Sequence, residues 1–365
     1  MVHGMDEVMK FTVEKHVLDF NFPAGTSRGV LAQKKLWLVY LTANGHQGVG
    51  ECSIIEGLTP EYQHDEQYEV KLKAYLNTLN QLQLNPEKLL DSLDSIFPDL
   101  NEHPSIRFGI ECALISWCSR QAGIWFDNGF TRGKNAIPIN GLIWMGDIAW
   151  MKSQVEKKIT EGYTALKFKI GALDWNKEYA LISALRNQFS PDELIIRVDA
   201  NGAFNQQNVF SVLTALSDLS VHSIEQPVAA EARELLQSVC EANILPIALD
   251  ESLIPCFTDQ DKYNLLTNLN PQYIVLKPSL HGGVSGVKHW ISLAESLGIG
   301  WWITSALESN IGLSAIAQFA GNYRLTLAQG LGTGGLFINN FPSNLQLKKG
   351  LLSNYLPEQG VSSSH

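Results

Sequence analysis

Ala165-Leu-Lys-Phe-Lys-Ile-Gly171 is a short apolar run carrying two lysines, Lys167 and Lys169, two positions apart. Read as a strand, it turns both lysines to one face and Phe168 and Ile170 to the other. The apolar face suits a parallel sheet covered by helices. The lysine face then points into an interior, where unpaired ammonium groups are costly. Two such charges signal chemistry; the alternative is a surface strand with solvated lysines. Outward from this run, further strand candidates lie at 137–143, 194–198, 223–225, 247–250, 273–277, 300–304 and 326–329. They recur roughly every 25–30 residues, the spacing of βα units. Amphipathic helical stretches separate them at 151–161, 175–188, 206–219, 230–242 and 286–297. The fold class expected is α/β, a TIM-type (β/α) barrel. An open doubly wound sheet is the competing layout; the barrel is preferred because polar residues gather at the C-terminal ends of the strands, where a barrel builds its active site.

Residues before 137 read differently. Stretches 11–20 and 35–42 alternate as strands, 43–46 is a turn, and 68–93 and 105–121 have helical periodicity, so this part is an α+β module. The serine-rich end, 361–365, reads as disordered.

The strand ends carry the candidate chemistry. Asp199 and Asn201 share a face at the third strand, Glu225 ends the fourth, Asp250 the fifth and Lys277 the sixth. Carboxylates on three neighbouring strands, about 4.8 Å apart, converge and repel one another unless a cation joins them. Oxygen ligands favour a hard divalent ion, Mg²⁺ with Mn²⁺ as the alternative. Lys277 faces Lys169 across the barrel mouth, so a substrate carboxylate on the metal has its α-carbon between two amines. Metal charge stabilises the enediolate formed on loss of that α-proton, and a lysine acts as base once its pKa is lowered by neighbours such as Lys167.

The runs Lys167-Phe-Lys169, Val198-Asp-Ala-Asn201, Ile224-Glu-Gln-Pro227, Leu249-Asp-Glu-Ser252 and Leu276-Lys-Pro278 resemble the muconate-cycloisomerase branch of the enolase superfamily. A lysine base working with Mg²⁺ is general to that superfamily. The resemblance implies an α+β capping domain at 1–130, a barrel at 131–345 and a C-terminal tail at 346–365 packing on the cap. It implies Asp199, Glu225 and Asp250 as metal ligands, and Lys169 and Lys277 flanking the substrate with Lys167 tuning Lys169. The mandelate-racemase branch expects a His–Asp pair where Lys277 stands. Within the branch the pattern is similar to the o-succinylbenzoate synthases of menaquinone biosynthesis, which implies dehydration with Lys169 as base and Lys277 as a standing cation. N-acylamino acid racemase and dipeptide epimerase are the alternatives, although the Asp-x-Asp motif expected of epimerases is absent near 330–336. A non-catalytic carboxylate-binding barrel is disfavoured because both lysines and all three carboxylates are present.

Other expected substrate contacts are Asn201, Ser305, the glycine-rich turn at Gly334 and Gly335 as an anion site, and Arg28 in a specificity loop at 23–29. His103, His222 and His281 read as structural or exposed, although His281, just after Lys277, lies near enough to the mouth to reach substrate. A formal charge of −10 argues against nucleic acid as partner. No membrane span or secretory signal is evident, and five scattered cysteines suit a cytoplasmic setting. The partner expected is a small-molecule carboxylate substrate, with homo-oligomerisation left open.

Overall fold

The computed structural model describes residues 9–26, 29–82 and 84–356. Near the start, β1 (Lys10–Thr26), β2 (Gly29–Ala43) and β3 (His46–Ser53) form an antiparallel sheet in that order. Helices α1 (Asp65–Leu82), α2 (Pro86–Ile96) and α3 (Pro104–Ser119) pack on one face. The expected single helix at 68–93 is two helices, because Asn85 caps the Glu87 amide and Pro86 occupies the first turn of the second. In β2 the alternation has two buried sides. Trp37, Val39 and Leu41 face the helices, while Leu36 and Leu38 join Trp144, Leu336 and Phe337 on the barrel side. Gly50 is required by the close approach of α3: a Cβ there would lie 2.0 Å from the Gly109 carbonyl oxygen.

The chain then enters a barrel. After β4 (Ile137–Pro138) come β5 (Gly141–Ile143), α4 (Ile148–Thr160), β6 (Ala165–Lys169), α5 (Trp175–Gln188), β7 (Ile195–Asp199), α6 (Val209–Asp218), β8 (Ser223–Glu225), α7 (Arg233–Ala242) and β9 (Ile247–Leu249). They continue as α8 (Asp259–Leu269), β10 (Tyr273–Leu276), α9 (Gly283–Ser296), β11 (Gly300–Ile303) and α10 (Asn310–Ala320). Strands β5 to β11 form one parallel sheet in sequence order. The architecture is a capped TIM-type barrel.

Two strand expectations need correction. The run 137–143 is split between two sheets: β4 pairs antiparallel with β13 and β5 parallel with β6, and Ile139 and Asn140 between them meet Gln329. The expected eighth strand at 326–329 is replaced by two isolated parallel bridges, Ile139 to Gln329 and Thr304 to Gly330. Those bridges close the barrel, with the Gln329 amide donating to the Pro138 carbonyl at 2.7 Å and the Gly330 amide to the Ile303 carbonyl at 2.8 Å.

The segment expected to pack on the cap does something else. Hairpin β12 (Leu345–Lys348) and β13 (Leu351–Asn354) adds to β4, and Leu352 enters the barrel core. Its hydrogen-bonding edge is satisfied by β4 rather than by the cap sheet. The stretch 361–365 lies outside the described residues. No described helix is long and apolar enough to cross a membrane.

Candidate active site

Strand parity sets the site. On β6, Leu166 and Phe168 are buried against the outer helices, and Lys167 and Lys169 point inward. On β7 to β9, Val198, Ile224 and Leu249 pack outward. Asp199, Glu225 and Asp250 are turned to the other side and are no more than 2 % exposed. Lys169 pairs in register with Asp199, and Asp199 with Glu225, so the three stand at one level of the barrel. Below them Ala248, Val275 and Trp302 fill the interior. The Arg197 guanidinium lies 4.0 Å over the Trp302 ring and donates to the Ala328 carbonyl at 2.7 Å.

The charges are interleaved. Lys167 Nζ lies 2.6 Å from Glu225 Oε2 and 2.9 Å from Asp199 Oδ2. Lys169 Nζ lies 2.7 Å from both Asp199 Oδ2 and Asn201 Oδ1. Lys277 Nζ donates to Asp250 Oδ2. Burial opposes the charge on Lys167, yet Asp199 and Glu225 more than reverse that and hold its pKa above the ordinary value. Lys277 is likewise raised, with Asp250 and Glu225 outweighing burial. Burial would raise Asp250, but the Lys277 charge holds it low. Glu225 is pushed well up, by burial and then by Asp199. At Lys277 the Lys167 charge pulls the other way, but the carboxylates outweigh it.

As the side chains stand, no three Asp, Glu, His or Cys among the described residues surround a common point. The lysines lie between the carboxylates. Two carboxylate oxygens, Glu225 Oε1 and Asp250 Oδ1, are nonetheless buried without a hydrogen-bond partner. Oxygen donors on adjacent strands, two of them unsatisfied, fit a hard cation in donor type and charge.

Strand ends are fixed by polar side chains. Asn201 and Gln226 turn the chain at φ 44° and 39°, just past Asp199 and Glu225. The Asn201 amide is oriented on both sides: Oδ1 accepts from Lys169, Nδ2 donates to Glu251 Oε1 at 2.9 Å. Gln226 Oε1 accepts the Asp250 and Ser252 amides, which holds the end of β9 beside β8. Sequence reasoning gave Gln226 and Glu251 no role; their signal was their place directly after a strand-end carboxylate.

A cavity of about 250 Å³ opens on the lysines. Lys167, Lys169, Lys277, Asn201 and Ser305 all line it. So do Leu31, Ile55 and Leu58 from the cap segment and Asn140, Leu142 and Trp144 beyond β4, none of them singled out from the sequence. Gly334 and Gly335 do not line it; Gly330, Gly332 and Thr333 do. The turn is fastened outward instead, with the Gly335 carbonyl accepting from Asn21 Nδ2 and the Gly334 carbonyl from Asn340 Nδ2. The Ser305 hydroxyl donates to Glu308 Oε2 at 2.7 Å.

Arg28 lies outside the described residues. So does Ser27; of the expected 23–29 loop, Ala24, Gly25 and Thr26 pair with Leu31, Val30 and Gly29 as a hairpin. His281 does not line the cavity; it is buried and its Nδ1 accepts the Lys277 backbone amide at 2.9 Å. His222 packs on the Tyr273 ring, and His103 Nδ1 lies 2.9 Å from the Asp99 carbonyl.

Residues 150–348 match the enolase C-terminal domain-like family. The chain belongs to the enolase superfamily. It is 44% identical over 363 residues to o-succinylbenzoate synthase of Desulfotalea psychrophila, covering 94% of this chain and 98% of that protein. The crystal structure of MenC from Desulfotalea psychrophila LSv54 superposes with a TM-score of 0.82 at 40% identity, over 94% of this chain and 99% of that one. The L-Ala-D/L-Glu epimerase of Bacillus subtilis, solved with substrate, shares the fold with a TM-score of 0.79 at 20% identity, over 96% of both chains.

Proposed function

We propose that this enolase-superfamily member is a lyase catalysing the o-succinylbenzoate synthase reaction of menaquinone biosynthesis. It removes water from 2-succinyl-6-hydroxy-2,4-cyclohexadiene-1-carboxylate and leaves 2-succinylbenzoate. The observation that carries this reading is the 44% identity to the Desulfotalea psychrophila synthase, which extends over 98% of that protein. Supporting it, lysines from β6 and from the residue after β10 line one cavity.

Asp199, Glu225 and Asp250 are the residues to hold Mg²⁺, with Mn²⁺ as the alternative. When bound there, the ion supplies the charge that makes a carbon beside a carboxylate acidic. The remaining steps belong to the chain. Neutral Lys169 takes the proton from the carbon bearing the ring carboxylate. Its ammonium then returns that proton to the hydroxyl leaving from the same face, so one C–H and one C–O bond break, one C=C bond forms, and water departs. Lys277, kept cationic by Asp250, stabilises the negative charge that develops meanwhile. Lys167, between Asp199 and Glu225, tunes the charge around Lys169. Asn201 orients the Lys169 amine, and Ser305 lines the same pocket.

The test is a spectroscopic assay of 2-succinylbenzoate formation with Mg²⁺ or EDTA, on the wild type and Lys169→Ala. Metal-dependent turnover lost in the variant is expected. A folded wild type that gives no turnover with Mg²⁺ would sink the reading.

A further inference from the structure

Lys34 lies on β2, is 3 % exposed and lines no part of the catalytic cavity. Its ammonium donates to the Ile54 carbonyl at 2.5 Å and to the Ala306 carbonyl at 3.0 Å. Ile54 begins the segment directly after β3, and that segment supplies Ile55 and Leu58 to the cavity wall. Ala306 belongs to the segment directly after β11, which supplies Thr304, Ser305 and Leu307. One buried amine therefore joins a wall segment from the cap to a wall segment from the barrel.

The surroundings are built for a charge at that point. Glu308 accepts from Ser279, Ser305 and the Ala306 amide, and Glu51 accepts the Ser309 and Gly312 amides at the start of α10. Both carboxylates favour the ammonium, while burial brings its pKa down to about 8. A buried lysine is expensive unless its donors are used. Here they are spent on two loop carbonyls that border the substrate.

We propose that Lys34 is a positioning residue that sets the substrate cavity by tying the 54–58 segment of the cap to the 304–307 segment of the barrel. The proposal rests on the synthase reading for its substrate. Because Lys167, Lys169 and Lys277 have their own partners, loss of Lys34 changes how the diene carboxylate is held more than how it reacts.

The experiment is Lys34→Met, which keeps the length and removes the donors. With wild-type turnover established, the KM of the variant is expected to rise about tenfold while kcat stays within about threefold, the pattern of lost uniform binding. Amide hydrogen exchange should quicken in 54–58 and 304–307 and nowhere else. An unchanged KM, or exchange quickened evenly across the chain, overturns the proposal. Should the variant not fold, the wild type decides: adding 2-succinylbenzoate should slow exchange in both segments together, and slowing in one alone refutes the strap. Absence of wild-type turnover instead counts against the synthase reading, and the exchange pattern of Lys34→Met still decides the strap.

Discussion

Replacing Lys167 by Met removes the cation that bridges two buried carboxylates. Its amine lies 2.6 Å from Glu225 and 2.9 Å from Asp199, which are 2 % and 0 % exposed. Methionine preserves the stem and so isolates the charge. Asp199 keeps Lys169 at 2.7 Å, but Glu225 loses its ammonium partner, and breaking a buried pair from one side costs about 3–5 kcal/mol. With about 2.1 cal/mol/K of unfolding entropy per residue over 365 residues, 1 kcal/mol moves the melting temperature by about 1.3 °C, so in EDTA it should fall by roughly 4–7 °C. Mg²⁺ at 100 times its Kd adds about 2.7 kcal/mol to the stability of a protein that binds it only when folded. The wild type gains this too, but if Asp199 and Glu225 hold the ion, loss of the competing ammonium makes the variant bind it more tightly, and each tenfold gain in affinity narrows the gap by about 1.4 kcal/mol in saturating Mg²⁺. Differential scanning calorimetry of both proteins with EDTA and with Mg²⁺ measures all four values. Equal melting temperatures in EDTA, or a gap that Mg²⁺ leaves untouched, would refute the reasoning.

Two further predictions concern the cap. Glu61 is buried, and burial raises its carboxyl from 4.5 to about 7 despite the Ser105 hydrogen bonds. The folded state thus binds that proton more tightly than the unfolded one. Its contribution is complete below pH 4.5 and is lost as pH rises through about 7, roughly 3 kcal/mol in all. Denaturant titrations across that range should show a slope that Glu61→Gln flattens; a slope unchanged in the variant rejects the assignment. Gly50→Ala drives a methyl against the α3 backbone at 2.0 Å and should cost about 1–3 kcal/mol or more. A thermal melt matching wild type would show that α3 moves freely.

What the sequence made legible was what period and parity control. The two-residue spacing of Lys167 and Lys169, with Phe168 between, was enough to predict an inward charged face, because a covered parallel strand leaves no other place for Phe168. The same parity applied to Asp199, Glu225 and Asp250, so the candidate site could be read without any contact being known. The barrel seam resisted for the complementary reason. Stretch 326–329 has a strand's composition, yet it contributes bridges only, since its partners Ile139 and Asn140 sit in a break between two short strands. Pairing of that kind depends on how the two ends of a sheet meet, which local pattern does not record.

The cavity wall shows the same limit more sharply. Ile55, Leu58 and Trp144 are ordinary apolar residues whose sequence neighbours say only that they are buried or half-buried. They line the pocket because β2 has two buried faces and so is sandwiched between cap helices and barrel. Lys34 is the clearest case. On a strand whose 33–35 stretch reads Gln-Lys-Lys, it looks like one of several solvated charges. Its neighbour Lys35 does pair near the surface with Glu56, whereas Lys34 is turned by one residue into the junction. A single step of strand parity separates a surface ion pair from a buried strap, and only the docking of cap on barrel decides which lysine takes which place.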